Sequence, residues 1–352
     1  MQGISRRSPH TLRAKRSSSP GAILYRGVYT SRLGTSNRAA NVDTEEKRAK
    51  RPYIVKTSSS PGAPVESNLI STESMGEHSK IEWTTHTFNP WVGCTKVSPA
   101  CDHCYAETWA KRSGLVTWGP SQPRRRTSET YWKMPLKWNC EAKATGTRPR
   151  VFCASLADVF DNEVPDGWRA DLWALIRSTP ELDWILVTKR IGNAPRMLPP
   201  DWGPLGYPNV WLLITVCNQD EASRDIPKLL TVPARVRGLS VEPLLGAIGL
   251  TTLLAGENRR LDWVIVGGES GGHARPMSPD WVRALRDECA ALGTAFFFKQ
   301  WGEWAPVSEG ETYPRTARLI DVEGKRLRRA GRKVAGRLLD GCEWNQIPEP
   351  RR

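Results

Sequence analysis

Three closely spaced cysteines are the residues of this chain best suited to chemistry. Cys94, Cys101 and Cys104 are separated by gaps of six and two residues. Thiolates at such close spacing hold zinc or an iron–sulfur cluster. A closed structural zinc site normally has four protein ligands, and no obvious fourth cysteine lies nearby. Because three thiolates leave one position of a [4Fe–4S] cluster open to a substrate or to S-adenosylmethionine, the cysteine count favours a reactive centre.

The pattern of apolar segments predicts the elements that position these cysteines. From residue 87 onward, short apolar segments alternate with helical ones, as is typical of parallel strands buried on both faces. The predicted strands are 87–92, 151–154, 184–188, 210–216, 236–241, 263–266 and 295–299, and the predicted helices are 102–112, 167–178, 220–230 and 279–292. This α/β alternation predicts a complete or partial TIM-type (β/α) barrel with parallel strands over residues 80–305. A doubly wound open sheet is the alternative.

Polar and charged residues follow five of the predicted strands. Because parallel strands share one carboxyl end, and barrel active sites lie at that end, we expect these side chains to line one cavity with the cysteines. Loops are polar in most proteins, but that explanation is weaker for five strands at once. The residues expected to line the cavity are Asp158, Lys189, Glu242, Glu269 and Lys299, while Ser155, Gly267 and Gly268 stand at the same strand ends.

Charge, hydrophobicity and cysteine usage indicate which partners and which cellular location the protein has. The formal net charge is +14 at pH 7, but half of the excess lies before Lys80, so the folded part is only mildly basic. This balance permits a nucleic-acid partner without requiring one. The chain has no run of about 18 apolar residues, so no transmembrane helix is expected. Most of the eight cysteines are scattered singly, which predicts a reducing, cytoplasmic location rather than a disulfide framework.

Three segments lie outside the alternating pattern. Residues 1–79 are rich in Ser, Arg, Gly and Pro, which predicts a disordered basic tail or a mis-called start upstream of Met75. Residues 113–149 form an insertion with interleaved arginines and tryptophans. It either binds single-stranded nucleic acid or forms a small subdomain in which the tryptophans pack against the barrel. Residues 306–352 form a basic C-terminal extension with a predicted hairpin turn at 323–324.

Nine short segments together resemble a known family. They are residues 81–84, 89–91, 93–99, 101–105, 186–190, 240–246, 267–271, 274–276 and 298–302. They span residues 80 to about 348 and resemble the phage- and prophage-associated three-Cys-motif family, which carries a domain-of-unknown-function label. That family is distantly similar to the radical S-adenosylmethionine enzymes. The resemblance therefore implies a partial or full (β/α) barrel with the cysteine loop after the first strand.

The resemblance also implies a [4Fe–4S] cluster and S-adenosylmethionine as cofactors. Cys94, Cys101 and Cys104 would each ligate one iron. The resemblance places His103 near the adenine of the cofactor. Under this hypothesis the strand-end candidates for cofactor binding are Ser155, Asp158, Lys189, Gly267, Gly268 and Glu269, and the candidates for catalysis are Glu242 and Lys299. Two features differ from the superfamily pattern. Its cysteine gaps are usually three and two residues, and its Gly-Gly-Glu motif follows the second strand rather than a late one.

Other functions remain open. A zinc site, with His86 or His103 as the fourth ligand, would indicate a nucleic-acid-associated phage accessory protein without radical chemistry. A non-catalytic phage or prophage protein is a further alternative, although unpaired charges in a barrel mouth would then be destabilising without a purpose. The predicted partners are a nucleic acid or nucleoside substrate and a phage- or prophage-encoded protein, and no membrane association is expected.

Overall fold

The computed structural model describes residues 79–256, 260–308 and 310–349, so the predicted tail lies outside these ranges except for its last residue. The strands are β1 His86–Phe88, β2 Trp91–Val92, β3 Arg125–Arg126, β4 Arg150–Cys153, β5 Asp183–Thr188, β6 Val210–Thr215, β7 Val236–Val241, β8 Trp263–Gly267, β9 Ala295–Gln300, β10 Trp304–Pro306, β11 Leu319–Val322 and β12 Lys325–Arg329. The helices are α1 Tyr105–Ser113, α2 Glu129–Trp132, α3 Met134–Thr145, α4 Asp166–Ser178, α5 Ala194–Met197, α6 Gln219–Thr231, α7 Thr251–Leu254, α8 Pro279–Leu292 and α9 Arg332–Ala335. In these ranges, none of the helices has the length and apolar character needed to cross a membrane.

Seven parallel strands form the main sheet. Their order is β1-β4-β5-β6-β7-β8-β9, and each neighbouring pair is parallel. The sheet curls into a half-barrel, with β1 and β9 at its two ends and with helices in the connections between strands. The partial form of the predicted barrel is therefore confirmed. The strand order never reverses, which excludes the doubly wound alternative.

The two faces of the sheet bury different side chains. Along β6, Ile214 packs in the large cluster that includes the helices, whereas Leu213 packs in the cluster on the opposite, concave face. This alternation follows from the two-residue period of a strand. The concave face is filled by aromatic rings, with Trp263 edge-on to Trp83 at 6.1 Å and to Trp211 at 5.7 Å. Trp211 and Trp263 lie near the amino-terminal ends of β6 and β8, so polar side chains occupy the carboxyl ends.

The first predicted strand, 87–92, is two separate strands in the structure. β1 ends at Phe88, while β2 begins at Trp91 and pairs antiparallel with β3 in a two-stranded sheet of its own. Pro90 has no N–H to donate, and it restricts the backbone of the residue before it. The prediction of one continuous strand was therefore wrong. The break at Pro90 places β2, paired with β3, between the main sheet and the cysteines.

The insertion at 113–149 packs against the half-barrel. Trp138 is buried and stacks on His86 with ring centroids 4.2 Å apart. Arg124 is also buried, and its guanidinium pairs with Asp161 at 2.8 Å. Stacking on nucleic-acid bases requires an accessible aromatic ring. Trp138 therefore packs as the subdomain interpretation predicts, whereas Arg124 is buried in an ion pair and is not available to a phosphate group.

The C-terminal extension contains a small sheet followed by an extended segment. Strands β10, β12 and β11 form a three-stranded antiparallel sheet, in which β11 and β12 make the predicted hairpin around residues 323–324. Further along the chain, residues 344–346 run antiparallel to the edge of β9 that faces away from β8. The Phe298 N–H donates to the Trp344 carbonyl at 2.9 Å, and the Gln346 N–H donates to the Phe296 carbonyl at 3.2 Å.

Candidate functional site

The three cysteines lie on one loop at the carboxyl end of the parallel strands. This cysteine loop, residues 93–104, connects β2 with α1. Ser98 begins a 3-10 helix and accepts a backbone hydrogen bond through its side chain at 3.0 Å, and Cys101 is the last residue of that helix. Cys104 is the N-cap residue of α1. One short helical turn therefore separates Cys94 from the other two cysteines.

Cys94 and Cys104 lie in different electrostatic surroundings. Cys104 is the N-cap residue of α1, at the positive end of the helix dipole. The guanidinium of Arg190 donates to Cys94 Sγ at 3.3 Å. Burial raises the pKa of the Cys94 thiol to about 11, although Arg190 acts in the opposite direction. Because thiols lose their protons when they bind a metal, Arg190 assists the ionisation that metal binding at Cys94 requires.

Asp158, a predicted cofactor-binding residue, holds Arg190 in position. Its carboxylate accepts hydrogen bonds from the Phe160 N–H at 3.0 Å, the Thr188 hydroxyl at 2.8 Å, the Lys189 N–H at 3.0 Å and the Arg190 guanidinium at 3.1 Å. Arg190 in turn donates to the Thr95 carbonyl at 2.7 Å. This Asp158 cluster, made of Asp158, Thr188 and Arg190, joins the ends of β4 and β5 to the first part of the cysteine loop.

Glu269 forms a second cluster at the other end of the loop. Its carboxylate accepts hydrogen bonds from the Arg275 N–H at 2.8 Å and from the Arg275 guanidinium at 2.9 and 2.6 Å, and it contacts His103 Nδ1 at 3.0 Å. Arg275 also donates to Asp102 at 3.0 Å and to the Pro99 carbonyl at 2.9 Å. This Glu269 cluster, made of Glu269, His103, Arg275 and Asp102, joins the end of β8 to the segment that contains Cys101 and Cys104.

The Glu269 cluster predicts a pH dependence of stability. Burial by itself raises the pKa of Glu269, but the hydrogen bonds from Arg275 and His103 outweigh it and hold this pKa below the ordinary value of 4.5. A carboxyl with a lowered folded-state pKa stabilises the fold above its unfolded-state pKa, and this stabilisation is lost as the pH falls through the folded-state value. We expect Glu269→Gln to lose about 2 kcal/mol of unfolding free energy at pH 7. The difference from wild type should shrink as the pH falls below about 4.5.

Urea unfolding at pH 7 and in the acid range measures this dependence. Glu343→Gln is the matched control, because Glu343 is half-exposed and its nearest cation, on Arg337, lies 3.8 Å away. The control should match wild type at every pH. A Glu269→Gln deficit that is the same in acid and at neutral pH would contradict an ionic role for Glu269.

Glu242 and Lys299, the predicted catalytic residues, form an ion pair at the carboxyl end of β7 and β9. The Lys299 ammonium lies 2.8 Å from both carboxylate oxygens of Glu242. Gln300 donates to Glu242 at 3.2 Å and to Ser270 at 3.0 Å. The Glu242 and Lys299 side chains are 22% and 18% exposed, so the pair remains accessible to a ligand. A Cβ on Gly267 would lie 3.3 Å from the Glu242 side chain, and the glycine thus leaves space for this carboxylate.

Gly268 allows two backbone segments to approach closely. A Cβ at this position would lie 1.9 Å from the Trp301 carbonyl oxygen. The facing residue, Gly302, has a φ of 80°, and a Cβ there would lie 2.2 Å from the Glu269 carbonyl oxygen. This close approach places Glu269 beside the cysteine loop. Gly268 thus has a steric role, while direct contact of Gly267 or Gly268 with a cofactor stays a prediction.

Ser155 and Lys189 differ in whether their side chains already form hydrogen bonds with other residues. The Ser155 hydroxyl exchanges hydrogen bonds with the Asn89 amide at 3.1 and 3.2 Å, which joins the end of β1 to the end of β4. The half-buried Lys189 ammonium makes no ion pair or hydrogen bond to any of the described residues. Of these two predicted cofactor-binding residues, Lys189 therefore has the side chain more available for an anionic group.

The two histidines of the zinc interpretation lie in different environments. His86 is in β1 and stacks on Trp138, whereas His103 contacts Glu269. Among residues 79–256, 260–308 and 310–349, no three His, Cys, Asp or Glu side chains are grouped as they would be around a single metal ion. The packing of His86 against Trp138 gives no support to its use as a fourth zinc ligand.

Arg190 and Arg275 are the site residues that sequence reasoning did not assign. Both lie in segments that carry the family resemblance, and Arg190 directly follows a predicted strand and Lys189. These positions are the features of the sequence that could have pointed to the two arginines. The contacts that define their roles, to Cys94 and to Asp102, join residues 96 and 173 positions apart in the chain.

Comparisons with known proteins give a family and several similar folds. A spore photoproduct lyase mutant with bound AdoMet and dinucleoside spore photoproduct is 12% identical, the match covering 72% of this chain and 70% of that one at a TM-score of 0.40. A spore photoproduct lyase complexed with dinucleoside spore photoproduct is 11% identical over 73% and 71% of the two chains, also at a TM-score of 0.40. No curated protein sequence matches this chain. A sequence model described as "Protein of unknown function (DUF5131)" matches residues 78–348, and because this match covers most of the chain, the protein belongs to the DUF5131 family.

Proposed function

We propose that this protein is a radical S-adenosylmethionine-type enzyme in which Cys94, Cys101 and Cys104 hold a [4Fe–4S] cluster. The observation that carries the proposal is the position of the cysteine loop. It lies at the carboxyl ends of the strands of a parallel half-barrel, where barrel enzymes place their active sites. When bound, the cluster would supply one electron for reductive cleavage of S-adenosylmethionine to methionine and a 5′-deoxyadenosyl radical, which becomes 5′-deoxyadenosine by taking a hydrogen atom from the substrate.

The donor set at the site fits such a cluster. Three thiols from one loop are the ligands that iron–sulfur clusters use. Each thiol would bind a different iron of the cluster, so the three sulfurs need not surround a single ion. Arg190 and the N-terminus of α1 provide positive potential at two of the three sulfurs. The Asp158 and Glu269 clusters hold the two ends of the loop in place before any cofactor binds.

The remaining polar residues can bind and orient an amino-acid moiety. Glu242 and Lys299 present a carboxylate and an ammonium side by side, and these charges are complementary to an α-amino and an α-carboxylate group. Lys189 adds an ammonium at the end of β5 that makes no ion pair or hydrogen bond within the described part of the chain. The aromatic cluster on the concave face fills the half-barrel behind these side chains and limits the access of water from that direction. Direct contact of these residues with S-adenosylmethionine is part of the proposal.

A nucleic acid or nucleoside is the substrate class that we propose. Arg326, Arg332 and Lys333, on the C-terminal extension, are exposed and form no ion pair with the described residues. The Arg329 guanidinium donates to the carbonyl oxygens of residues 271 and 272 at 3.1 and 2.7 Å, in the loop that follows Glu269. The extension therefore adjoins the proposed site with cations that suit a polyanion. A phage-encoded partner protein stays a prediction from the resemblance.

Anaerobic reconstitution with iron and sulfide tests the proposed function. Reduced, reconstituted protein mixed with S-adenosylmethionine should release 5′-deoxyadenosine, and Cys101→Ala should release none. Cys140→Ala is the control, because Cys140 is an exposed cysteine on α3, outside the site. A colourless protein that retains stoichiometric zinc and stays inactive after reconstitution would contradict the proposal and favour the zinc alternative.

A further inference from the structure

We propose that Arg190 is a positioning residue that raises the reduction potential of the metal centre through its contact with Cys94. This inference rests on the proposed function, since it concerns a [4Fe–4S] cluster bound to the three cysteines. It assigns a role at the metal centre to Arg190, which is not one of the ligands. One of the three ligands carries a charged hydrogen-bond donor on its sulfur, and this donor comes from a different strand end than the cysteine loop.

The contact is buried and charged. One guanidinium nitrogen of Arg190, Nη1, lies 3.3 Å from Cys94 Sγ and 3.1 Å from an oxygen of Asp158. The other, Nη2, donates to the Thr95 carbonyl at 2.7 Å. The side chains of Arg190 and Asp158 are only 8% and 5% exposed. Little water is available to weaken these interactions, so a charge at this position acts strongly on the sulfur.

The position of Arg190 does not depend on the metal. Asp158 accepts three further hydrogen bonds, from the backbones of Phe160 and Lys189 and from the Thr188 side chain. The carboxylate therefore holds the guanidinium in one orientation, with an N–H group directed at Cys94 Sγ. A guanidinium fixed in this way does not have to be reoriented when a cluster binds, which is the usual role of an outer residue around a metal centre.

The three cysteines differ in whether a side chain donates a hydrogen bond to the sulfur. In the described part of the chain, no side chain donates a hydrogen bond to the sulfur of Cys101 or Cys104. Hydrogen bonds to the sulfurs and nearby charge are among the factors that set the potential of an iron–sulfur cluster. Reduction adds one negative charge to the centre, and a nearby guanidinium stabilises that charge. Arg190 should therefore make the cluster easier to reduce.

The test compares midpoint potentials of the reconstituted protein without S-adenosylmethionine. EPR-monitored redox titration gives the potential, and iron and sulfide analysis gives the cluster content. We expect Arg190→Gln to keep its cluster and to shift the potential to a more negative value. Arg190→Lys keeps the charge but not the planar fork of donors, and should shift the potential in the same direction by less. Asp158→Asn removes the balancing negative charge and should shift it in the opposite direction.

Arg196→Gln is the matched control. Arg196 is an exposed arginine on α5 that donates to Asn162 and Asn193, and its substitution should leave the potential unchanged. If Arg190→Gln loses its iron, the other two variants test the inference. It requires the midpoint potentials of Arg190→Lys and Asp158→Asn to shift in opposite directions.

Two results would overturn the inference, and they are distinguishable. Variants with a full cluster and the wild-type potential would show that Arg190 only ties the loop together. A wild-type protein that binds no cluster would refute the proposed function itself, and the role of Arg190 with it.

Discussion

Alanine in place of Cys94, Cys101 or Cys104 should remove essentially all of the bound iron from the reconstituted protein. Each variant leaves two protein thiolates, and a [4Fe–4S] cluster that already has one open iron is then held by too few ligands. Cys94 and Cys104 are half-buried and Cys101 is buried. Their loss should lower the stability of the metal-free fold by about 1 kcal/mol or less, because a free cysteine packs as a small apolar residue. Iron analysis and the visible absorption spectrum measure the first effect, and thermal unfolding of the metal-free protein measures the second.

Cys140→Ala and Cys342→Ala serve as controls for these variants. Both cysteines are exposed and lie outside the cysteine loop, so both variants should bind the wild-type amount of iron. If any one of the three loop variants kept a full cluster, that cysteine would not be a ligand. If all three lost iron only because they unfolded, their thermal transitions would show it.

Gly268→Ala should destabilise the protein more than any other single methyl addition in the site. The new Cβ would lie 1.9 Å from the Trp301 carbonyl oxygen, which is far inside contact distance. The obstacle is backbone, so no side-chain rotation relieves it, and the two strand ends must move apart. We expect a loss of at least about 3 kcal/mol in the free energy of unfolding, at the upper end of overpacking effects. Iron loading should also fall, because the same movement displaces Glu269 from His103 and Arg275.

Gly272→Ala tests whether this effect is specific. Gly272 lies in the same loop, has open space around its Cα and has no positive φ. Its substitution should change the stability by no more than about 0.5 kcal/mol. Urea unfolding followed by tryptophan fluorescence compares the two variants. Equal stability of Gly268→Ala and Gly272→Ala would contradict the close approach of residues 268 and 301.

Much of the half-barrel could be predicted because its signals are local. The predicted strand 236–241 and the predicted helix 279–292 have the same bounds as β7 and α8. Both are apolar segments with a clear period, and Ser278 with Pro279 marks the start of the helix. The predicted first strand is too long. The apolar residues on both sides of Pro90 look like one continuous strand, although the proline interrupts it. The pairing of β2 with β3 joins residues more than thirty positions apart, and no local pattern indicates it.

The location of the candidate site could be predicted from the sequence, but the contacts between its side chains could not. Parallel strands share one carboxyl end, so the residues after the strands are expected near the cysteine loop. In the structure Glu269 contacts His103 of that loop, and Asp158 accepts a hydrogen bond from Arg190. Their partners could not be predicted, because Arg190 and Arg275 reach the loop only after the strands have assembled. The sequence assigns Asp158 and Glu269 to the cofactor from their positions after predicted strands and from the family resemblance. The structure shows both carboxylates hydrogen-bonded to arginines that hold the loop, and direct cofactor contact by either one stays a prediction.

The segment at 344–346 has a consequence for the synthesis of this protein. It supplies the hydrogen-bonding partner for the outer edge of β9, in which residues 296–298 are buried phenylalanines. That edge leaves the ribosome about 45 residues before its partner, which at about 5–20 residues per second leaves it uncovered for a few seconds. An unpaired apolar edge can accept a strand from another chain. The nascent protein is therefore most exposed to wrong pairing between the synthesis of β9 and that of residues 344–346, after the whole parallel sheet has been made.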